Sequence, residues 1–319
     1  DLALRVYTTR LLGNNKRLVL HGGGNTSVKT TVRDIDAKVY RVLCVKGSGW
    51  DMGDIEPEGL PAVKLDPLLS LKNKKNLSDE QMVNFQKRNL INNTSPNPSV
   101  ETFLHAFLPH KYVDHTHADA ILDITNRPNG MRICKQIFGP KVGYVPYIMP
   151  GFLLAKKVFE TYKKNPNLNC LILLNHGIFT FSDNAKEAYD LMIKNVSLAE
   201  SAIKKMKTKK IKQVKSQKLM LKPSDIAPVI RGLLTEPDTD NAFIVNFRTN
   251  KDIQYFMNGI NAKKYSHRGT VTPDHVIRIK PYPIIVDMSA TDTIDTFRKR
   301  LETALTKYKL EYVSYFKKY

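Results

Sequence analysis

The residues best equipped for chemistry are three histidines: His115 and His117 in Val113-Asp114-His115-Thr116-His117, and His176 in Leu174-Asn175-His176-Gly177. Residues i and i+2 of a strand point to one face, so His115 and His117 can aim two imidazoles at one point. His176 follows Leu171-Ile172-Leu173-Leu174, an apolar run that reads as a second, buried strand. Three neutral imidazoles with an open fourth position form the ligand set of a catalytic zinc or another divalent metal, which polarises a carbonyl or activates a water. An isolated His-x-His also suits an exposed strand face. The apolar setting favours the metal reading, because a buried histidine needs a partner.

Three further stretches carry candidate groups. His21-Gly22-Gly23-Gly24-Asn25-Thr26-Ser27 lets the backbone approach a ligand closely and offers N–H groups, an amide and two hydroxyls to an anion. It matches neither a P-loop nor a dinucleotide fingerprint, and it also fits an ordinary tight turn. Lys46-Gly47-Ser48-Gly49 repeats the theme at a strand end, with the same two readings. Pro98-Ser99-Val100-Glu101 precedes an apolar run and suits a helix start. Ser99 there can donate to a phosphate. Glu101 is either a general base or a complement to the helix dipole. His105, one turn beyond, is expected to pack or hydrogen-bond rather than to bind metal.

The elements that position these groups read as an α/β unit over residues 1–207. A helix is expected at Leu2–Leu12. Strands are expected near Thr26–Val32, Arg41–Lys46, Tyr112–Thr116, Lys141–Val145, Leu168–Leu174 and Ile178–Phe181. Pro61–Leu71 reads as a strand entering a short helix, and Lys72–Asn93 as a polar helical insertion or loop. A long helix starts near Asp183-Asn184, with Glu187 placed for a capping box. Residues 208–225 form a basic, polar linker. A smaller α/β extension, 226–319, shows strand-like runs at Phe243–Phe247, Val276–Ile279 and Pro283–Val286 before a final helix from Thr291 to about Tyr315.

Composition bounds the rest. The 319 residues are 42% hydrophobic and 25% charged, an ordinary globular balance that supports a sizeable core. No apolar stretch approaches the ~20 residues of a membrane helix, and the N-terminus has no secretory pattern. The chain begins without Met, as a fragment would. Three scattered cysteines, Cys44, Cys134 and Cys170, suggest buried thiols in a reducing compartment, hence a cytoplasmic location. The net charge of +20 comes from lysines spread over the whole chain. That favours a solvated surface or an anionic substrate over a nucleic-acid partner.

Taken in order, Gly24-Asn25-x-Ser27, Gly47-Ser48-Gly49, Pro98-Ser99-x-Glu101, His115-x-His117 and Leu174-x-His176-Gly177 resemble the class II aldolase/adducin family over about residues 10–205. The resemblance implies a three-layer α/β/α domain around a mostly antiparallel central sheet. It implies zinc on His115, His117 and His176, with Glu101 as catalytic acid/base. Gly24, Asn25, Gly47, Ser48 and Ser99 match the positions that hold a substrate phosphate. Val100 stands where the motif often has a second serine. Arg268-Gly269-Thr270-Val271-Thr272-Pro273-Asp274-His275 resembles the longer, bifunctional members of the family, the rhamnulose-1-phosphate aldolase/alcohol dehydrogenases. In those, a short-chain dehydrogenase domain follows the aldolase domain. No dehydrogenase glycine fingerprint occurs here. His267 and His275 can either reach the site from this extension or serve as surface histidines.

The reaction implied is cleavage of a ketose 1-phosphate, such as rhamnulose 1-phosphate, to dihydroxyacetone phosphate and an aldehyde through an enediolate stabilised by the metal. Epimerisation or dehydration of a sugar phosphate on the same site is the alternative, as is a non-catalytic adducin-like interaction module. The intact histidine triad argues against the last. The family's aldolases are homo-oligomers, typically tetramers.

Overall fold

The computed structural model describes residues 1–35, 37–207, 210–214, 221–235 and 243–318. Its contacts divide the chain into two units, Asp1–Met206 with Thr270–Ile279, and Lys207–Gly269 with Lys280–Tyr319. Residues 208–209 and 215–220 of the expected linker lie outside the described residues. No helix among the described residues is long and apolar enough to cross a membrane.

The first unit is built on a seven-stranded sheet. Its strands are β1 (Asn25–Arg33), β2 (Val39–Val45), β3 (Ala62–Lys64), β4 (Tyr112–Thr116), β5 (Val142–Val145), β6 (Cys170–Leu173) and β7 (Gly177–Ser182), in the order β3-β2-β1-β4-β7-β6-β5. Every pairing is antiparallel except β5 with β6. The sheet is therefore mostly antiparallel, as expected. Helices α1 (Leu2–Gly13), α2 (Leu65–Ser70), α3 (Asp79–Arg88), α4 (Thr102–Phe107), α5 (Asp119–Thr125), α6 (Gly130–Ile137), α7 (Phe152–Lys164) and α8 (Ala185–Lys205) cover it.

The alternation of side chains along each strand decides which helices meet which residues. One face carries Val45, Val113, Leu171, Leu173, Phe179 and Phe181, packed against α2, α3, α4 and α7. The other carries Val28, Val42 and Tyr112 in one cluster with α1 and α8, and Cys170, Ile172 and Ile178 in another with α5, α6 and α8. The result is a three-layer α/β/α arrangement. α8 docks through Ala185, Ala188, Met192, Val196 and Ala199, a helical stripe. The Asn184 side chain caps it by accepting from Glu187 N (3.1 Å). The Glu187 carboxylate accepts instead from Ser182 Oγ (2.6 Å), so only half of the expected capping box forms.

Central strand β4 is buried along its whole length, yet three of its five residues are polar or charged: Asp114, His115 and Thr116. Buried polar groups must be partnered. Asp114 and Thr116 point to the α1/α8 face, where Arg5 pairs with Asp114 at 2.5 Å and Thr116 Oγ1 contacts Met192 Sδ at 3.2 Å. His115 therefore points to the α4 face, as does His117 beyond the strand end.

The second unit contains α9 (Pro223–Leu234), α10 (Lys251–Met257), α11 (Ala262–Ser266) and α13 (Ile294–Lys318); the short α12 (Pro273–Val276) belongs to the first unit. Phe297, Leu301 and Leu305 recur every four residues on α13 and pack with Val229 of α9. The three strands expected here do not form among the described residues. Phe243, Ile244 and Phe247 remain exposed, while Ile284 and Val286, outside any strand, pack against α9 and α13. At Val276–Ile279 the helix-start signal prevails over the β-branched run. Pro273 is the first helical residue, and Thr272 accepts from His275 N (3.3 Å).

Candidate metal centre

The Nε2 atoms of His115 and His117 lie 3.0 Å apart at the end of β4. His176 arrives from the loop between β6 and β7. That turn needs a left-handed residue, and Asn175 supplies it (φ 58°), with its Nδ2 bound to Asn126 Oδ1 at 2.9 Å. The three histidines offer ligand atoms within 4.8 Å of one another, and all three are buried. Glu101 faces them: its Oε2 lies 3.3 Å from His115 Nε2, and its Oε1 lies 3.4 Å from His176 Nε2.

The outer nitrogens of His115 and His117 each carry a proton. His115 Nδ1 lies 3.0 Å from the Ile178 carbonyl, which can only accept, so Nδ1 carries a proton. His117 Nδ1 lies 2.5 Å from the Asp274 carboxylate, which assigns its proton in the same way. The Nε2 atoms are thus the nitrogens left to face each other, 3.0 Å apart. Burial, then the neighbouring His117 and His176, hold His115 well below the ordinary imidazole range. Burial also lowers His176, partly offset by Glu101. Neutral imidazoles with converging lone pairs are what a divalent metal requires. Glu101 Oε1, buried without a hydrogen-bond donor, adds a negative group to the same point. The residues present fit such an ion.

Glu101 is held by a directed chain of hydrogen bonds. Ser27 Oγ donates to His105 Nδ1 (2.8 Å), and His105 Nε2 donates to Asn25 Oδ1 (2.5 Å). Asn25 Nδ2 then donates to Glu101 Oε2 (2.8 Å) and to Ser99 Oγ (3.0 Å). Burial keeps His105 neutral, as the chain requires. His105 is thus no metal ligand, but it sets the orientation of Asn25. Glu101 precedes α4 rather than lying within its first turn.

The two glycine loops converge below this site. Lys46 Nζ donates to Gly22 O (2.9 Å) and Trp50 O (2.7 Å), tying one loop to the other. Ser99 N donates to Lys46 O (3.1 Å). Burial brings Lys46 down to about 8, opposed by Asp51, Asp274 and Glu101. It therefore keeps most of its charge at neutral pH. The N–H groups of Gly47 and Ser48 donate to Gly59 O and Asn97 O, both at 2.8 Å, so that loop presents the Ser48 hydroxyl and the open side of Gly49. Gly24 is left-handed (φ 57°), and a Cβ there would lie 2.8 Å from His115 O. Asn25 is fully engaged with His105, Ser99 and Glu101. Gly24, Asn25 and Ser99 thus adjoin the histidines through β1, β4 and Glu101, while Gly47 and Ser48 join them through Lys46.

Lys46 and Asp274 do not emerge as site residues from the sequence. A lone lysine ending the apolar run Val42-Leu43-Cys44-Val45 is a usable signal for the first. His275, by contrast, bonds Thr272 Oγ1 (2.6 Å), and His267 bonds Lys263 O (2.8 Å) and stacks on Tyr282.

Known proteins agree with this architecture. The family model for the class II aldolase and adducin N-terminal domain matches residues 4–203, and that for the class II aldolase second domain matches residues 222–319. The N-terminal class II aldolase domain of a conserved protein from Thermoplasma acidophilum is 47% identical, with a TM-score of 0.60, over 64% of this chain and 93% of its own. A Bacillus subtilis (strain 168) protein named uncharacterized oxidoreductase YuxG is 32% identical over 98% of this chain. The chain spans 46% of that relative's length. The first of the two family models covers more than half of the sequence, and this chain belongs to the class II aldolase and adducin family.

Proposed function

We propose that the chain is a divalent-metal-dependent carbon–carbon lyase, with zinc as the metal. It cleaves a ketose 1-phosphate of the rhamnulose 1-phosphate type to dihydroxyacetone phosphate and an aldehyde. The observation that carries this reading is the convergence of the His115 and His117 Nε2 atoms, with Glu101 against both His115 and His176. A bound divalent ion supplies a Lewis acid that stabilises negative charge on substrate oxygens as the bond breaks. His115, His117 and His176 would hold it. As C3–C4 breaks, the C4 hydroxyl loses its proton and C3 gains one. Glu101, oriented by Asn25, delivers the proton at carbon. Gly24, Ser48 and Ser99 line the region for the phosphate, with the Lys46 charge beneath it. Asn25 and Gly47 shape that region through their contacts with Ser99, Glu101 and Gly59.

The oxidoreductase named for the relative belongs, on this reading, to the part of it that this chain does not match. A short-chain dehydrogenase domain would then accompany the aldolase, consuming the aldehyde product. A homo-oligomer is the assembly the family suggests.

The test separates the base from sugar specificity. Zinc-loaded protein should exchange a carbon-bound proton of dihydroxyacetone phosphate with D2O. Glu101→Gln should slow exchange by about 10²–10⁴ while retaining zinc. Undiminished exchange in that variant would remove Glu101 from the chemistry.

A further inference from the structure

Residues Thr270–Ile279 fold with the first unit, far in sequence from its other residues. They place Asp274 against the metal centre. Asp274 is 3% exposed, and its carboxylate is held at both oxygens: Oδ1 lies 2.5 Å from His117 Nδ1, and Oδ2 accepts from Leu20 N at 2.7 Å. The fit extends to the glycine loop. A Cβ on Gly23 would fall 2.5 Å from Asp274 Cγ, so this carboxylate occupies the space that a side chain there would fill. The segment is anchored on either side, by Asn126 Nδ2 donating to Val271 O (3.0 Å) and Arg278 Nε donating to His21 O (2.9 Å).

We propose that Asp274 is a positioning residue. Through His117 Nδ1 it fixes the tautomer and ring orientation that present His117 Nε2 to the metal, which makes the metal centre depend on the 270–279 segment. This inference rests on the metal-site reading above. A metal-bound histidine almost always gives its other N–H to such a partner, and losing that partner typically weakens metal binding 10–100-fold. Asn is the informative replacement. Whichever way its amide turns, Nδ2 meets a donor, either Leu20 N–H or His117 Nδ1–H. The second clash is relieved by moving the His117 proton to Nε2, which disables the ligand.

The experiment is zinc competition against a chromophoric chelator on the full chain. It is paired with NMR detection of the His117 Nδ1 proton, which a short bond to carboxylate shifts downfield. Wild type should bind zinc, His115→Ala should lose it, and Asp274→Asn should bind about 10–100-fold more weakly and lose the downfield signal. If Asp274→Asn folds poorly, Gly23→Ala displaces the same carboxylate without deleting it and should weaken zinc in the same direction. Wild-type zinc affinity with the signal retained in Asp274→Asn overturns the inference and leaves the metal site standing. A wild-type chain that binds no zinc overturns the metal-site reading and the positioning role with it, even if the Asp274 contact is seen.

Discussion

Gly177 stands where β7 leaves the histidine cluster, and its missing side chain is a demand of the geometry. A Cβ there would lie inside 3.0 Å of Thr116 O and 3.1 Å from both His115 Cε1 and His117 Cδ2. Thr116 pairs with Ile178 in the β4–β7 ladder, so its carbonyl cannot retreat without moving the strand that carries His115. Gly177→Ala must therefore push β4 from β7 by about half an ångström, against interiors packed to crystal density. Overpacking of this kind costs about 1–3 kcal/mol. Replacing glycine in a strand returns about 0.5–1 kcal/mol. The net loss of up to about 2.5 kcal/mol corresponds to a fall of up to about 10 °C in Tm for a unit of this size. The displacement also exceeds the roughly ±0.2 Å within which metal–ligand distances hold, so zinc affinity should fall. Calorimetry of the metal-free protein and chelator competition read the two effects. Gly139→Ala is the control, because its Cβ would meet nothing within 4 Å. Unchanged Tm and zinc affinity in Gly177→Ala would refute the close approach of β7 to the histidines.

Two further outcomes follow from buried charges. Arg5 and Asp114 form an ion pair with both side chains fully buried, so Arg5→Met should cost about 3–5 kcal/mol in urea denaturation by stranding the carboxylate. Replacing both residues by apolar ones should cost clearly less. Burial brings Lys29 down to about 7 and Lys46 to about 8, whereas both hold their protons to about 10.5 when unfolded. Above those folded values the unfolded chain binds more protons, so stability rises with pH. Between pH 7.5 and 8.5 the rise should be about 1–2 kcal/mol per pH unit, and Lys29→Met should remove at least half of that slope. Cys44 and Cys134, raised to about 11 by burial, oppose it only as their unfolded thiols ionise near 9.

The three-histidine cluster is legible in the sequence because its signals are local. Period-two spacing places His115 and His117 on one face, and β4 spans Tyr112–Thr116 as expected. The apolar run before His176 and the glycine after it mark a strand end and a tight turn. What escapes a sequence reading depends on tertiary placement. Asp274 lies 157 residues from His117, and nothing in its neighbourhood indicates which histidine it meets. Residue type draws attention to His275 and His267, whereas the group that touches the site is the carboxylate beside them. Arg5 sits in an ordinary helix, and only the burial of Asp114 explains it. Asn25 matches a phosphate contact by resemblance, yet its amide is occupied by His105, Ser99 and Glu101, a network that spacing cannot reveal. The C-terminal runs have strand composition, but no neighbouring strand among the described residues takes up their backbone groups.

The most direct test is metal content. Protein purified and then exposed to zinc should retain about one ion per chain after desalting, and His115→Ala should retain none, with its fold intact by circular dichroism. A wild-type chain that holds no divalent metal, or a His115→Ala variant that holds as much as wild type, would contradict the three-histidine centre.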